Sequence, residues 1–340
     1  MKKIVKFSLV FLLFAVVFAA YTIFFRPHYN GGGVTIFIPK GVGIGRISQT
    51  LYQADAIQNP NVFRIAAKLS GYETKLQAGK FVLPPTLNNL QLLRFLNSSR
   101  QIEEKVTIPE GSTARQIAGI LSRKANVDST KFIELVFDSS FTAEVKVPAN
   151  NLEGYLYPET YQMYWDIPPR EAALILVRQF FKELPQNAQE KAENLGYSLH
   201  EIITLASIIE GEAILPTEHA TIAGVYHNRL KKRIRLQADP TIQYIIPDGP
   251  RRLLNKDLRI DSPYNTYKYY GLPPGPIKNP GKEAIIAALN PANVPYLYFV
   301  AKGDGSHVFS TTLKQHNRAK REFDKIRRHV ARQKKAANGG

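Results

Sequence analysis

The hydrophobic pattern begins with an uninterrupted apolar run. Residues 7–25 (FSLVFLLFAVVFAAYTIFF) carry no charge. At about 1.5 Å per helical residue the run spans roughly 28 Å, close to the ~30 Å hydrocarbon core of a bilayer. Lys2, Lys3 and Lys6 precede it, so the positive-inside rule predicts a cytoplasmic tip at 1–6 and an exported body. A cleaved signal peptide is the alternative, because residues 17–19 (VFA) resemble a small-residue cleavage site.

After this run the pattern changes to short strands and helices. Residues 26–33 (RPHYNGGG) are punctuated by Gly and Pro, which predicts a linker. Apolar alternation and helical spacing then predict a β-α-α-β module over residues 34–103. Its predicted elements are a strand at 34–39, helices at 44–54 and 61–69, and a strand at 79–83. This order resembles LysM, a small glycan-binding module.

The opening of this module recurs 70 residues later. The pattern I-P-x-G-x5-I-x3-L starts at 38–41 (IPKG) and again at 108–111 (IPEG). One interpretation is a coincidence between two common strand–turn–helix units. The other is a second LysM-like segment at 104–149 that is related to the first.

From about residue 150 the chain becomes aromatic and then strongly helical, which predicts a mixed α/β domain at 150–330. Ser198 and Glu201 have the S-x-x-E spacing of a capping box and predict a helix through Glu212. The other predicted elements are helices at 169–184 and 216–231, loops at 237–244, 262–267 and 271–281, and strands at 296–301 and 308–310. The fold class expected for the chain is therefore α+β, ending in a basic flexible tail at 331–340.

Composition narrows the functional classes. The 340 residues carry a formal net charge of +17, which favours polyanionic partners, but an exported body argues against nucleic acid. The absence of Cys excludes thiolate chemistry and disulfides. His200-Glu201 begins an H-E-x-x-H motif, but Thr204 stands where the second His is needed. We therefore expect no metal and no cofactor.

Acid–base chemistry remains, and it centres on two glutamates near the end of an apolar helix. Glu210 and Glu212 are two residues apart, so they point about 200° away from each other and at most one is catalytic. Ala206 and Ala213 are neighbours of Glu210; a small, apolar wall raises the pKa of a carboxyl and suits a general acid. The alternative is that both are surface glutamates.

Five motifs together resemble the YceG-like family of endolytic murein transglycosylases (MltG), over residues 33–320. They are ASIIEGE at 206–212, LEGYLYPETY at 152–161, RLQADPTIQY at 235–244, SPYNTYKYYGLPPGPIKNPG at 262–281 and AALNPANVPYLYFVAKGDGSHVF at 287–309. The family's usual residue between the two glutamates is Lys. Here it is Gly211, which we expect to add local flexibility.

The resemblance implies cleavage of the β-1,4 bond between N-acetylmuramic acid and N-acetylglucosamine, leaving a 1,6-anhydro end. The family's catalytic glutamate falls on Glu210. A single carboxyl suffices when the sugar's own 6-hydroxyl attacks, because an intramolecular nucleophile has an effective molarity of about 10⁵ M or more. Candidate substrate-binding residues are Glu153, Tyr155, Tyr161, Gln237, Asp239, Thr241 and Asn265.

The resemblance also implies a setting. We expect a single-pass inner-membrane protein with a periplasmic body that binds peptidoglycan strands, ends their polymerisation and partners cell-wall synthases. The alternative is a membrane-tethered peptidoglycan-binding scaffold without turnover.

Overall fold

The computed structural model describes residues 2–29, 33–98, 103–213, 215–247, 249–323 and 325. The predicted tail at 331–340 and the end of the predicted catalytic domain at 326–330 lie outside the described residues. The chain forms two compact units. The first comprises Met1–Val106, Lys124–Asn126 and Gln162–Ile167, and the second comprises Thr107–Arg123, Val127–Tyr161 and Pro168–Gly340. The predicted boundaries at 103/104 and 149/150 stay predictions.

The apolar run folds as one helix, α1 (Lys2–Ala20), which continues through a π-helical turn at Tyr21–Phe25. The stretch Ile4–Phe25 is long and apolar enough to cross a membrane, and its large apolar side chains are mostly exposed. Exposed apolar side chains along a helix are stable only against another apolar phase, which is consistent with a membrane anchor.

The first unit continues with seven short elements. They are β1 (Pro27–Tyr29), β2 (Val34–Ile38), α2 (Ile44–Gln53), α3 (Pro60–Leu69), β3 (Gly79–Leu83), β4 (Thr86–Asn88) and α4 (Asn89–Ser98). β2 and β3 pair antiparallel, with Val34 opposite Leu83 and Ile38 opposite Gly79. The buried faces of α2, α3 and α4 enclose a core that includes Leu51, Phe63 and Leu93. The β-α-α-β order of the prediction is present, while the likeness to LysM stays a prediction.

One part of the predicted linker is a strand. β1 pairs antiparallel with β4, so His28 lies opposite Leu87. The His28 ring is buried and its Nε2 lies 2.9 Å from Oδ1 of Asn89, whose amide donates to the carbonyl of Ile23. The Gly and Pro residues of 26–33 predict irregular backbone. A strand of three residues can still form there because β4 provides the hydrogen-bonding partner.

The rest of the chain holds the longer helices. The elements are β5 (Glu103–Thr107), α5 (Ala114–Ala125), α6 (Ser129–Val136), α7 (Ser139–Glu144), β6 (Thr160–Tyr164), α8 (Pro169–Glu183), α9 (Ala188–Asn194), α10 (Leu199–Glu212), α11 (His219–Lys231), α12 (Asp239–Ile245), α13 (Lys282–Leu289), β7 (Tyr298–Ala301) and β8 (His307–Ser310). Short 3₁₀ turns lie at Pro216–Glu218 and Asp257–Arg259. The two strands predicted near the C-terminus are present as β7 and β8, and they pair antiparallel.

Helix α10 is the centre of the second unit. Every residue from Ile202 to Ile209 is buried, and α9, α11, α12 and α13 pack around it. The predicted capping box is present: the Ser198 hydroxyl accepts from the Glu201 amide, and the Glu201 carboxylate accepts from the Ser198 amide. The cap fixes the N-terminus of α10, and four packed helices hold the rest of it. The C-terminal end, where the two glutamates lie, is therefore held in place.

One local prediction needs correction. Residues 237–244 are not all loop, because α12 begins at Asp239. Pro240 lies in the first turn of this helix, where a backbone N–H has no partner within the helix, so proline costs no hydrogen bond there. Gly211 has a packing role in the structure, and the local flexibility expected of it stays a prediction. A Cβ at Gly211 would lie 2.6 Å from Cβ of Pro240, so the glycine allows α12 to approach α10 closely.

Candidate active site

Glu210 is held at the end of α10 by a neighbouring loop. Its Oε2 accepts a hydrogen bond from the Gly281 amide at 3.0 Å. Its other carboxylate oxygen, Oε1, faces Gly111, where an added Cβ would lie 3.7 Å from it. The side chain is partly buried, and burial raises the pKa of Glu210 above its usual value, while the Gly281 amide and Lys278 act in the opposite direction. Among the described residues, Oε1 has no hydrogen-bond partner, and a half-buried carboxyl with one such oxygen can donate a proton to a bound group.

Glu212 points in another direction, as the helical spacing predicts. Its Oε1 accepts a hydrogen bond from the Tyr226 hydroxyl at 2.7 Å. Burial raises the pKa of Glu212 to about 7, and the negative charge of Asp239 adds to this rise. The two glutamates therefore lie in separate environments and are not a carboxylate pair.

Lys278 lies beside both glutamates. Burial lowers the pKa of its ammonium, and the carboxyls of Glu210 and Glu212 act to raise it. The pKa of Glu110 is raised by burial and, next, by the charge of Glu210. An added Cβ on Gly281 would overlap the Glu110 carboxyl, so this glycine leaves room for Glu110 while its amide binds Glu210.

Asn279 connects three segments around Glu210. Its Oδ1 accepts from the amides of Gly154 and Leu156, both at 2.9 Å, and its Nδ2 donates to the Ser112 carbonyl and to Glu153. Its backbone also exchanges hydrogen bonds with the 111–112 turn. The side chain is fully buried and every polar atom is bonded, so it fixes the loop whose Gly281 amide holds Glu210.

Glu153 belongs to this framework. Its carboxyl accepts from the Ala114 amide, at the start of α5, and from Asn279. Only 1% of the residue is exposed. Burial raises the pKa of Glu153 to about 8 even though these hydrogen bonds and the charge of Arg115 favour the ionised form. Desolvation thus outweighs the bonds, and Glu153 is enclosed in the interior.

Four other predicted substrate-binding residues are also buried. The Tyr155 hydroxyl lies 2.9 Å from Nδ1 of His200, and the Tyr161 hydroxyl donates to the Tyr157 carbonyl. Thr241 donates to the Ala238 carbonyl, and the Asn265 amide donates to the carbonyls of residues 258 and 260. These bonds organise loops, and direct sugar contact by the four stays a prediction.

Gln237 and Asp239 are exposed and line a cavity of about 490 Å³. Its walls include Glu212, Arg229, Tyr267 and Tyr298 from α10, α11, a loop and β7. The Tyr267 hydroxyl donates to Asp239, and Arg229 donates to Gln237 at 2.9 Å. The cavity thus combines carboxylate and amide acceptors with aromatic walls. No group of three or more His, Asp or Glu able to hold a metal ion occurs among the described residues.

Comparison with known proteins gives the family. The model of the YceG-like family matches residues 36–322. The chain belongs to the YceG-like family. A protein of Bacillus subtilis (strain 168) named endolytic murein transglycosylase is 36% identical over 309 residues, covering 85% of this chain and 84% of that protein.

Two further relatives extend the comparison. A protein of the same name from Streptococcus pneumoniae serotype 2 is 30% identical over 318 residues, and the match covers 84% of this chain but only 57% of that protein. A crystal structure of a putative YceG-like protein from Listeria monocytogenes is 33% identical, with a TM-score of 0.60, over 84% of this chain and 98% of that chain.

Within this YceG-like chain, three site residues escaped sequence reasoning. Glu110 is the variable position of the repeated turn at 108–111, and nothing in that pattern indicates that its carboxyl lies near Glu210. Lys278 and Asn279 occur in a Gly- and Pro-rich segment, which indicates a loop and nothing about its contacts. Only the fold brings them to Glu210, because they follow it by about 70 residues.

Proposed function

We propose that the chain is an endolytic peptidoglycan lytic transglycosylase. It cleaves the β-1,4 bond between N-acetylmuramic acid and N-acetylglucosamine and leaves a 1,6-anhydro end. The observation that carries the proposal is the partly buried carboxyl of Glu210, with one oxygen fixed by Gly281 and the other free. Membership of the family and the names of the relatives support the substrate class.

Glu210 acts first as an acid and then as a base. Its carboxyl proton passes to the glycosidic oxygen as the bond to the muramic C1 breaks. The 6-hydroxyl oxygen of the same sugar then bonds to C1, and its proton returns to the Glu210 carboxylate. No water enters the product, and the carboxyl ends in its starting state. The Gly281 amide stabilises the carboxylate between the two steps.

The predicted substrate-binding residues divide into three roles. Gln237 and Asp239 bind hydroxyl or acetamido groups of the strand from the cavity wall. Glu153, through Asn279, positions the loop that carries Gly281. Tyr155, Tyr161, Thr241 and Asn265 shape the surrounding loops.

The long apolar helix α1 supports the proposed setting. A single-pass anchor holds the body in the periplasm beside the inner membrane, with the N-terminus in the cytoplasm. Cleavage is then restricted to strands near the membrane, where it ends their polymerisation beside cell-wall synthases. Glycan binding by the 34–103 and 104–149 segments holds the strand during cleavage.

The proposal is tested by incubating the detergent-solubilised chain with peptidoglycan and analysing the products by mass spectrometry. We expect anhydro-ended fragments, and a loss of about 10²–10⁴-fold in rate for Glu210→Gln. Glu201→Gln, on the same helix but at its far end, is the control and retains turnover. Binding without any product favours the scaffold alternative and contradicts the proposal.

A further inference from the structure

Lys278 is a partly buried cation that has no role in the proposed proton transfer by Glu210. Its stem passes between two glycines: an added Cβ on Gly111 would lie 3.8 Å from Cδ, and one on Gly211 would lie 3.6 Å from Cε. The Gly111 position also borders Oε1 of Glu210, the free carboxylate oxygen. The Lys278 stem and Oε1 of Glu210 therefore both border the Gly111 position.

Among the described residues, two charged groups face Glu210, and they come from two segments. Glu110 faces it from the turn before α5, and Lys278 faces it from the loop before α13. Lys278 also faces Glu212, which is itself surrounded by Tyr226, Asp239 and Arg229; His219 and Glu283 lie near Glu110. Among these groups, Lys278 is the cation whose charge acts on Glu210.

We propose that Lys278 is a positioning residue for the proton transfer: its ammonium stabilises the carboxylate that Glu210 becomes after protonating the leaving oxygen. This inference rests on the proposed function of Glu210. Burial alone disfavours the carboxylate, so an acid in this environment releases its proton slowly unless a nearby positive charge offsets the desolvation. Lys278 supplies that charge without donating a proton itself.

Glu212 modulates the effect, because one ammonium faces two carboxyls. When Glu212 is ionised, it competes with the Glu210 carboxylate for the positive charge of Lys278, which acts on both. Removing the charge of Lys278 and removing that of Glu212 should therefore change the pKa of Glu210 in opposite directions.

The test is the pH dependence of turnover in the full chain, with peptidoglycan strands as substrate. Turnover needs protonated Glu210, so activity falls as the pH rises through the pKa of Glu210. Lys278→Met raises this pKa, so we expect the alkaline limb to move up by about one pH unit and the maximal rate to fall about tenfold. Lys278→Arg keeps the positive charge, so its alkaline limb should match that of the wild type even though the arginine side chain has a different shape.

Glu212→Gln keeps the acceptor for Tyr226 and removes the charge, so the alkaline limb should move to lower pH. The inference is overturned if Lys278→Met melts like the wild type and its alkaline limb does not move. It is equally overturned if Lys278→Met and Glu212→Gln move the limb in the same direction. Failure of the proposed function looks different: the wild type then yields no anhydro ends at any pH.

Discussion

The chain uses one strand–turn–helix design twice, at 38–41 and at 108–111. In both copies the Gly has a positive φ, +75° at Gly41 and +70° at Gly111, so the backbone turns in the same way. The apolar positions that follow are buried in both. The surroundings differ: a Cβ on Gly41 would meet nothing within 4 Å, whereas one on Gly111 would lie 3.4 Å from Cγ of Glu210.

The difference shows how a structural turn becomes part of a site. The helix after the first turn, α2, begins at Ile44, and Gly43 before it provides no side-chain cap. The helix after the second turn, α5, has its Ala114 amide bound by Glu153. Asn279 then ties Glu153 to the loop of Gly281. The second turn is thus connected by hydrogen bonds to the acid, and the following predictions test that connection.

The largest effect is expected for Asn279→Ala. The substitution leaves the amides of Gly154 and Leu156 and the Ser112 carbonyl in the interior without their side-chain partner. We expect a loss of about 3–5 kcal/mol in the free energy of unfolding, measured by denaturant titration. Asn290→Ala, at an exposed asparagine, is the control and should cost under about 1 kcal/mol. Equal losses in the two variants would contradict the framework role of Asn279.

A matched pair of glycine variants comes next. Asn tolerates a positive φ, so Gly41→Asn and Gly111→Asn should both fold with similar melting temperatures. Only at Gly111 does the new side chain displace the Glu210 carboxyl, and a displacement of about 1 Å lowers turnover on the order of 100-fold. Gly41→Asn should retain the wild-type rate. Equal turnover in both variants would show that the second turn has no part in the site.

The pH dependence of stability tests Glu153. Its pKa in the folded chain is raised to about 8, above the value of about 4.3 for an unfolded glutamate. The folded state therefore favours the protonated form, and stability that is fully present below about pH 4.3 declines as the pH rises towards 8. We expect a decline of about 1–3 kcal/mol, measured by calorimetry. Glu153→Gln should remove the part of the decline that Glu153 causes, and the carboxyls of Glu210 and Glu212, whose pKa values are also raised, account for the remainder. An unchanged decline in that variant would contradict the role given to Glu153.

The smallest effect concerns the first turn. The Lys40 ammonium lies 5.4 Å from the ring centroid of Tyr164, a contact worth about 0.5–1 kcal/mol at an exposed site. Lys40→Ala should cost no more than this in thermal melts and should leave turnover unchanged. A loss of turnover would indicate that the first turn also contributes to cleavage.

Local pattern predicted much of the fold and little of the site. The anchor helix, the capping box of α10 and the β-α-α-β order follow from periodicity and capping, which depend on neighbours in the sequence. Helix α12 was missed because Pro240 signals both a turn and the first turn of a helix. The short β1 depends on a partner edge far along the chain.

For the site, the sequence indicated Glu210 and offered Glu153 as a candidate for substrate binding, which stays a prediction, but it did not indicate the contacts of Glu153 in the interior. Whether the Glu153 carboxyl faces a cleft or the interior depends on its contacts with Ala114 and Asn279. These residues lie 39 and 126 positions from Glu153 in the sequence. The same holds for Lys278, whose importance comes only from its place beside both glutamates.

The central claim is that the sugar, and not water, attacks the carbon that Glu210 activates. The direct measurement is digestion of peptidoglycan strands by the wild-type chain in H₂¹⁸O, with mass spectrometry of the newly formed ends. The account predicts 1,6-anhydro ends that carry no ¹⁸O, because both atoms of the new bond belong to the sugar. Reducing ends labelled with ¹⁸O would contradict it.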